Sequence, residues 1–484
     1  MDTDYIYPVI EFLKHNDNNT ATLSDDGDNL VQFLKLMKVS AKVAYVEASS
    51  VSSLYAIELA PGVRVSKVTS LKHELSVELK AIDIQFLIPI PGTSYLGIRA
   101  IKPDAPEVLL GDYLINDSYL KSRNNLEVVL GRLYDGKPAY FDFRKLNHLL
   151  ISGTTGSGKS IFIDSIIVNL LYKSSPDELK LILIDTHALN LLRFNNLPHL
   201  ILPVITDCKK ACAALAWLLS EMDYRYQELS YKGVKNIDAY NVMMNEEGQK
   251  RMPDILMIVD DLADIMAEAA YANDFQADLD RLSGMARFVG IHLLLSIQRP
   301  SSEIVSSTVK MNIPNRIAFR TVSGNDSRLI IQVGGAEHLN GNGDMLFKQL
   351  GQQEPLRIQG PYVSDEEIDI VVDFVKRNSG FYTFSKPEVI CQNVQKIVIP
   401  SDIDNSLDTN DEFLEEAARL IIKKQKASVG MLQREFRIGF NRTAKIMDKL
   451  VELGVVGPEE YTKPRRILMN MEEFESMLLE RPFT

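Results

Sequence analysis

Between Lys38 and Pro103 apolar and polar residues alternate in short runs: "AKVAYVEA", "SLYAIEL", "IQFLIPIPG" and "YLGIRAI". A period of two argues for half-buried strands. "SLKHELSVELKAI" interrupts them with a helical spacing. These elements predict a small α/β domain over 36–120. Before it, "HNDNNTATLSDDGDN" is polar throughout and marks 1–35 as a flexible N-terminal segment.

The rhythm changes over 121–385. "HLLIS", "LKLILID", "ILMIVD", "HLLLSIQ" and "RIAFRT" are continuous apolar runs separated by helical stretches. Unbroken apolar strands alternating with helices predict a mostly parallel sheet covered on both faces. Residues 386–410 read as a linker. From 411 to 484, "DEFLEEAARLIIKKQ", "SVGMLQREF" and "NRTAKIMDKLVELG" predict three helices. "VVGPEEYTKPRRILMN" then predicts a two-stranded wing, which makes a winged helix-turn-helix.

Composition changes this picture little. The chain has 484 residues and a formal net charge of −12, which argues against wholesale coating of nucleic acid. The cysteines Cys208, Cys212 and Cys391 form no metal pattern, and the first two, one helical turn apart, read as buried small residues. No apolar run reaches the ~18–20 residues that cross a bilayer. The opening "MDTDYIYPVI" has no signal-peptide core. The expected setting is cytoplasmic.

Charge is uneven, however. From Lys423 to Arg466 there are eleven Lys/Arg against five Asp/Glu. A local excess of +6 on an acidic chain marks a docking face for a polyanion. On the third C-terminal helix Asn441, Lys445 and Asp448 share a face and have the chemistry to read base edges. Arg434, Arg442, Arg465 and Arg466 suit phosphate contacts. Protein contact is the other use of such a module.

The strongest local signal is "HLLISGTTGSGKS", which fits G-x-x-x-x-G-K-[ST] between a strand and a helix read as amphipathic. Backbone N–H groups over Gly153, Thr154, Thr155, Gly156, Ser157 and Gly158 would wrap phosphates, continuing through Lys159, Ser160 and Ile161. Lys159 would reach the β/γ phosphates of ATP and Ser160 would hold Mg2+. "ILMIVD" supplies the second acid such a site requires, so Asp260 is the Mg2+ candidate. Asp261 follows it where a water-polarising carboxylate belongs; a helix N-cap is the other reading. Asp264 reads as a helix-start acid or an arginine's partner. Gln298 ends the next strand as a γ-phosphate sensor, followed by Arg299. Arg316, Arg320 and Arg328 are candidates to reach a neighbouring subunit's γ-phosphate, with a surface or ion-pair role for at least one of them. The fold class read from these features is α/β: a RecA-like P-loop NTPase core with a small N-terminal α/β domain and a C-terminal winged helix.

These residues resemble the FtsK/SpoIIIE family of DNA translocases. "HLLISGTTGSGKS", "DDLAD", "GIHLLLSIQRP", "NIPNRIAFR" and "GGAEHLNGNGDML" follow that family's order and approximate spacing. "APGVRVSKVTSL" and "IPIPGTSYLGIRA" resemble its small domain, and "KASVGMLQREFRIGFNRTAKIMDKLVELGVVGP" its winged helix. The resemblance covers roughly 28–470. It implies ATP-driven movement along double-stranded DNA by a homo-hexameric ring serving chromosome segregation and cell division. It also implies recombinase or division-protein partners, and membrane association only through a region not in this chain. The family reads a G-rich orientation sequence with the winged helix. Three departures stand out: Asp260-Asp261 replaces the usual Asp-Glu, Asp185-Thr186-His187 the usual Asp-Pro-Lys, and Ile331-Gln332-Val333 the usual Leu-Asp-Gln. The first raises one rival, a DNA-binding ring with weak hydrolysis; a second is a protein-secretion ATPase, since that class shares related P-loop domains.

Overall fold

The computed structural model describes residues 5–16, 27–49, 51–90, 92–103, 105–115, 117–120, 122, 124–268, 272–300, 306–352, 354–378 and 414–424. Beyond these it describes 431–432, 436, 447, 450–451, 455–457, 467–471 and 474. The chain divides into two compact units, Met1–Ile397 and Val398–Thr484.

Two sheets organise the first unit. The alternating N-terminal runs become β1 (Ala41–Ala48), β2 (Ser52–Leu59), β3 (Asp83–Leu87) and β4 (Leu96–Ile101). They form an antiparallel sheet of order β1-β2-β4-β3. Helix Gly27–Leu36 packs Leu30, Phe33 and Leu34 into its core with Ile57, Leu75 and Ile98.

The second sheet has nine strands. They are β5 (Glu127–Leu133), β6 (Pro138–Asp142), β7 (Leu149–Ser152), β8 (Leu179–Asp185), β9 (Asp254–Asp260), β10 (Ile291–Ile297), β11 (Arg316–Phe319), β12 (Asp344–Lys348) and β13 (Leu356–Gln359). Their order is β6-β5-β13-β12-β11-β7-β10-β9-β8. From β11 to β8 every pairing is parallel, whereas β12, β13, β5 and β6 extend the sheet antiparallel. The predicted parallel sheet is therefore only one side of a mixed one.

Alternation along the parallel strands splits the core into two layers. Leu181, Leu183, Leu256, Ile258 and Leu294 face one side. Ile182, Ile184, Met257, Val259, Leu293 and Leu295 face the other, against helices Cys208–Tyr231 and Ala272–Met285. Period-two strands buried on both faces read as continuous apolar runs.

The helix Lys159–Lys173 is not amphipathic. Every residue from Phe162 to Lys173 is buried, because β5 and helix Asp365–Asn378 cover the side it would otherwise show to water. Two of its polar residues find partners along the buried side. The Asn169 carbonyl accepts from Val129 N at 2.8 Å and Tyr119 Oη at 3.1 Å. Lys173 lies 3.8 Å over the Tyr119 ring.

The N-terminal segment is partly fixed. Tyr5 Oη donates to Leu171 O, Tyr172 Oη to Val9 O, and Lys14 N to Glu367 Oε1. Residues 17–26, the centre of the stretch read as flexible, lie outside the described residues. Cys208 and Cys212 are half-buried free thiols, pushed up to about 11 and about 12 first by burial; Cys391 is outside the described residues.

In the second unit, helix Leu414–Lys424 buries Ala417, Ala418, Ile421 and Ile422 with Leu432, Met447, Leu450 and Phe474. Val456 pairs antiparallel with Ile467, the type of pairing a wing requires. The candidate DNA contacts Arg434, Asn441, Arg442, Lys445, Asp448, Arg465 and Arg466 all lie outside the described residues. No described helix is long and apolar enough to cross a membrane.

Candidate functional site

The glycine-rich turn leaves β7 and enters helix Lys159–Lys173 at the carboxyl edge of the parallel strands, where ligands bind in such sheets. Its glycines answer to sterics. Gly158 sits at φ +99°, and a Cβ there would come within 2.3 Å of Gly343 N. A Cβ on Gly153 would come within 2.5 Å of Phe319 Cβ. The loop is pinned through Gly153 N to Ile297 O, Thr154 N to Arg320 O, and Gly343 N to Ser157 O.

The strand order inserts β10 between β7 and β9, and this builds the polar centre. Ser296 ends up between the loop lysine and the acid of β9. Lys159 Nζ donates to Ser296 Oγ at 2.7 Å, and Ser296 Oγ donates to Asp260 Oδ1 at 3.2 Å. Lys159 and Asp260 stand 3.6 Å apart as a buried ion pair. Gln298, just past β10, donates from Nε2 to Thr155 Oγ1 at 2.7 Å.

Asp185 ends β8 in register with Asp260. Its buried Oδ2 accepts from the N–H groups of Leu189, Asn190 and Leu191. That fixes the following loop and places the Asn190 amide over the two candidate metal ligands. Asn190 Nδ2 lies 3.1 Å from Asp260 Oδ2 and 3.4 Å from Ser160 Oγ. A carboxylate and a hydroxyl brought together by one outer amide are a hard-oxygen donor set that suits Mg2+. Asn190 and Ser296 were invisible to motif reasoning. The only sequence signal for Ser296 was a polar residue near the end of an apolar strand.

Of the two readings of Asp261, the helix cap is the one observed. It caps helix Leu262–Ala267 from φ +64°, with Oδ1 accepting from Ala263 N at 3.2 Å. Donor atoms of Asp261, Asp264 and His187 also lie within 4.8 Å of one another. Asp264 Oδ2 accepts from Thr186 Oγ1 at 2.6 Å and lies 3.2 Å from His187 Nε2. Asp264 is thus no arginine's partner among the described residues.

The arginines separate. Arg316 begins β11 beside Leu150, at the end of the sheet away from the glycine-rich turn. It is buried, and its guanidinium donates to the carbonyls of Ile313 and Ile330 at 2.9 Å and to that of Lys310. The expectation that it serves the site is corrected: it clamps the chain on either side of β11. Arg320 follows β11 beside the phosphate loop, exposed, with no side-chain hydrogen bond or ion pair among the described residues. Arg328 Nη1 donates to Asn325, and Arg299 is exposed.

A buried acid lies one turn beyond Ser160. Asp164 is pushed up to about 8, first by burial; Asp260, Asp365 and Asp185 add to this, and Arg193 opposes it. Its Oδ1 has no hydrogen-bond partner. Beside the loop opens a cavity of about 530 Å3, lined by Gly156, Gly158, Ile161, Gln359, Pro361 and Tyr362 among others. It has the size and mixed lining that a nucleoside needs.

The fold and this constellation define a P-loop NTPase core with the lysine, hydroxyl and strand-end acid of a nucleotide site. The chain belongs to the FtsK/SpoIIIE family. That family's profile matches residues 110–302, the FtsK alpha domain 7–100 and the FtsK gamma domain 408–470. The chain is 38% identical over 479 residues to the DNA translocase FtsK of Clostridium acetobutylicum, covering 98% of this chain and 61% of that protein. It is 38% identical over 488 residues to the DNA translocase SpoIIIE of Bacillus subtilis, covering 98% and 60%. It therefore spans about three-fifths of the length of these relatives. Among solved structures, the pCW3 conjugation coupling protein TcpA with ATPγS aligns at TM-score 0.52 and 21% identity, covering 72% of this chain and 99% of that one. The type VII secretion ATPase EccC of Thermomonospora curvata aligns at 0.50 and 24%, covering 56% and 34%. These two likenesses bear on the fold alone.

Proposed function

We propose that the chain is an ATP-dependent double-stranded DNA translocase that works as a homo-hexameric ring in chromosome segregation and cell division. The observation that carries this is the joint placement of Lys159, Ser296, Asp260 and Asn190 at the carboxyl edge of the sheet. In this reading the loop from Gly153 to Ser160 cradles the triphosphate and Lys159 contacts its terminal phosphates. Ile161 and the adjoining cavity receive the nucleoside. Ser160 and Asp260 hold Mg2+, which when bound offsets charge developing on the phosphates.

Asp261 orients the attacking water and accepts its proton, and Gln298 reports the γ-phosphate to Thr155. Arg320, exposed beside the loop, serves a neighbouring subunit's site, which a ring would bring to it. The C-terminal module, basic from Lys423 to Arg466, binds and orients DNA through Asn441, Lys445 and Asp448, with Arg434, Arg442, Arg465 and Arg466 on phosphates. A recombinase or division proteins are the candidate partners.

One observation favours a second reading. Asp261 spends one carboxylate oxygen on its own helix, which suits a DNA-bound ring with weak hydrolysis. DNA-stimulated ATP turnover by purified protein, on long duplex at low salt, separates the two. Strong stimulation supports the motor; its absence supports the weak ATPase.

A further inference from the structure

One guanidinium reaches both sides of the cavity beside the phosphate loop. Arg357, half-buried on β13, donates in two directions. Toward the core, its Nε and Nη2 donate to Oδ1 and Oδ2 of Asp344 at 3.0 and 2.7 Å. Toward the small domain, its Nη1 donates to Oδ2 of Asp83, the first residue of β3.

The core arm ends at the phosphate loop. Asp344 is buried, and its carboxylate accepts two further bonds, from Tyr134 Oη at 3.1 Å and Asn340 N at 2.9 Å. The second closes a turn in which Gly341, Asn342 and Gly343 all have positive φ, at +84°, +49° and +88°. Left-handed residues occur singly rather than in runs, so this run depends on outside fastenings. Asp344 is one, and Gln359 Nε2, donating to Asn342 O at 2.7 Å, is another. The phosphate loop leans on this turn. Gly343 N donates to Ser157 O at 2.9 Å, and a Cβ on Gly158 would lie 2.3 Å from that same nitrogen.

The other arm ends at the small domain's share of the same cavity. Val51, Ile82 and Ile101 line it together with Gly156, Gly158 and Gly343. Ile82 directly precedes Asp83, and its N–H donates to Ile101 O at 2.8 Å. Lys72 holds the second Asp83 oxygen at 2.8 Å. Burial pushes the Asp83 carboxyl up, but Lys72 and Arg357 outweigh it and hold the group below its ordinary value. The contact with Arg357 is therefore an ion pair.

We propose that Arg357 is the positioning residue of this cavity: through Asp83 it seats the small domain's apolar wall against the nucleoside, and through Asp344 it steadies the phosphate loop. The small domain is then part of the nucleotide site itself. Affinity falls with the fraction of molecules in which the wall is seated, and losing a charge-assisted hydrogen bond shifts such an equilibrium by about tenfold or more. The two arms act on different parts of the ligand. The Asp83 arm affects only a ligand that carries a nucleoside, whereas the Asp344 arm affects anything that enters the phosphate loop. This inference rests on the reading of the loop and cavity as an ATP site.

The test is binding of two probes to the full chain with Mg2+ present, in wild type, Asp83→Asn and Asp344→Asn. ATPγS is titrated by calorimetry, and inorganic tripolyphosphate is read by its displacement of ATPγS. Asp83→Asn is expected to weaken ATPγS by about tenfold and to leave tripolyphosphate within about twofold of wild type. Asp344→Asn is expected to weaken both. Tripolyphosphate reports on the loop alone, so a general folding defect would show there too. An Asp83→Asn protein that binds ATPγS like wild type overturns the proposal, and so does one that loses both probes equally, which assigns Asp83 to stability. Tripolyphosphate that fails to compete in wild type, or that binds Asp344→Asn undiminished, overturns the division into two arms. Should Asp344→Asn not melt cooperatively, the two probes on Asp83→Asn decide alone. No ATPγS binding by wild type overturns the nucleotide-site reading and this inference with it, whereas wild-type binding with an unaffected Asp83→Asn overturns the inference only.

Discussion

Asn190 stands with its side-chain amide 3.1 Å from Asp260 Oδ2 and 3.4 Å from Ser160 Oγ. One donor therefore spans the two groups assigned to Mg2+, and it is held there by the Asp185 carboxylate through the loop backbone. Outer groups of this kind typically contribute 10–100-fold to metal affinity or activity. Asn190→Ala should raise the Mg2+ concentration for half-maximal turnover by about that factor. Binding of metal-free nucleotide, measured by titration with EDTA present, should stay unchanged.

The two loop glycines should behave differently. At Gly158 a methyl would strike the backbone of Gly343 at 2.3 Å, whereas at Gly156, φ +75°, it meets nothing within 4 Å. Gly158→Ala should abolish nucleotide binding and lower Tm. Gly156→Ala should cost only about 1 kcal/mol of backbone strain and keep binding. Calorimetry with and without nucleotide reads both.

Arg316 and Arg320 should separate stability from turnover. Removing the Arg316 guanidinium strips donors from the carbonyls of Ile313, Ile330 and Lys310. Arg316→Ala should destabilise by about 2–4 kcal/mol in denaturant melts. Arg320→Ala should leave the melt unchanged and lower turnover of the assembled ring by about 10³-fold or more. Mixing Arg320→Ala with Lys159→Ala protein should restore part of the activity, since intact half-sites can then meet.

Asp164 carries a pH signature. Burial raises its folded-state value to about 8, above the unfolded range near ~3.9. Over that window the folded protein binds more protons than the unfolded chain, so this group's contribution to stability falls as pH rises. It is fully present below pH ~4 and lost as pH passes through about 8. Asp164→Asn removes that slope. The difference in Tm, variant minus wild type, should grow from pH 5 to 8 and level off above; a flat difference would contradict the assignment.

The parallel half of the large sheet was legible because its strands are buried on both faces and read as nearly continuous apolar runs, two of them ending at Asp185 and Asp260. The antiparallel half was not. β5, β6, β12 and β13 are mixed in polarity, and the two local pairs β5–β6 and β12–β13 are joined across a long stretch of chain by β13 with β5. At Gly131, φ +130°, β5 passes so close to Gln359 O that a Cβ would lie 2.0 Å from it, a constraint only the folded neighbour reveals. Strand direction decided the arginines: Arg316 opens β11 and Arg320 follows it, so only the second stands at the edge where the phosphate loop turns. Asn190 lies in a loop without a motif, and its position is set by a buried carboxylate five residues earlier. The Asp261 cap was one of two roles its place after β9 allowed, and it is the one the hydrogen bonds display.

The account is tested most directly by displacement of a triplex-forming strand from linear duplex DNA, powered by ATP, with wild type and Asp261→Ala compared at equal protein concentration. Wild type should displace the strand and Asp261→Ala should not, while binding the DNA equally well. Equal displacement by the two proteins, or none by wild type, would contradict the assignment of this chain as a motor driven through Asp261.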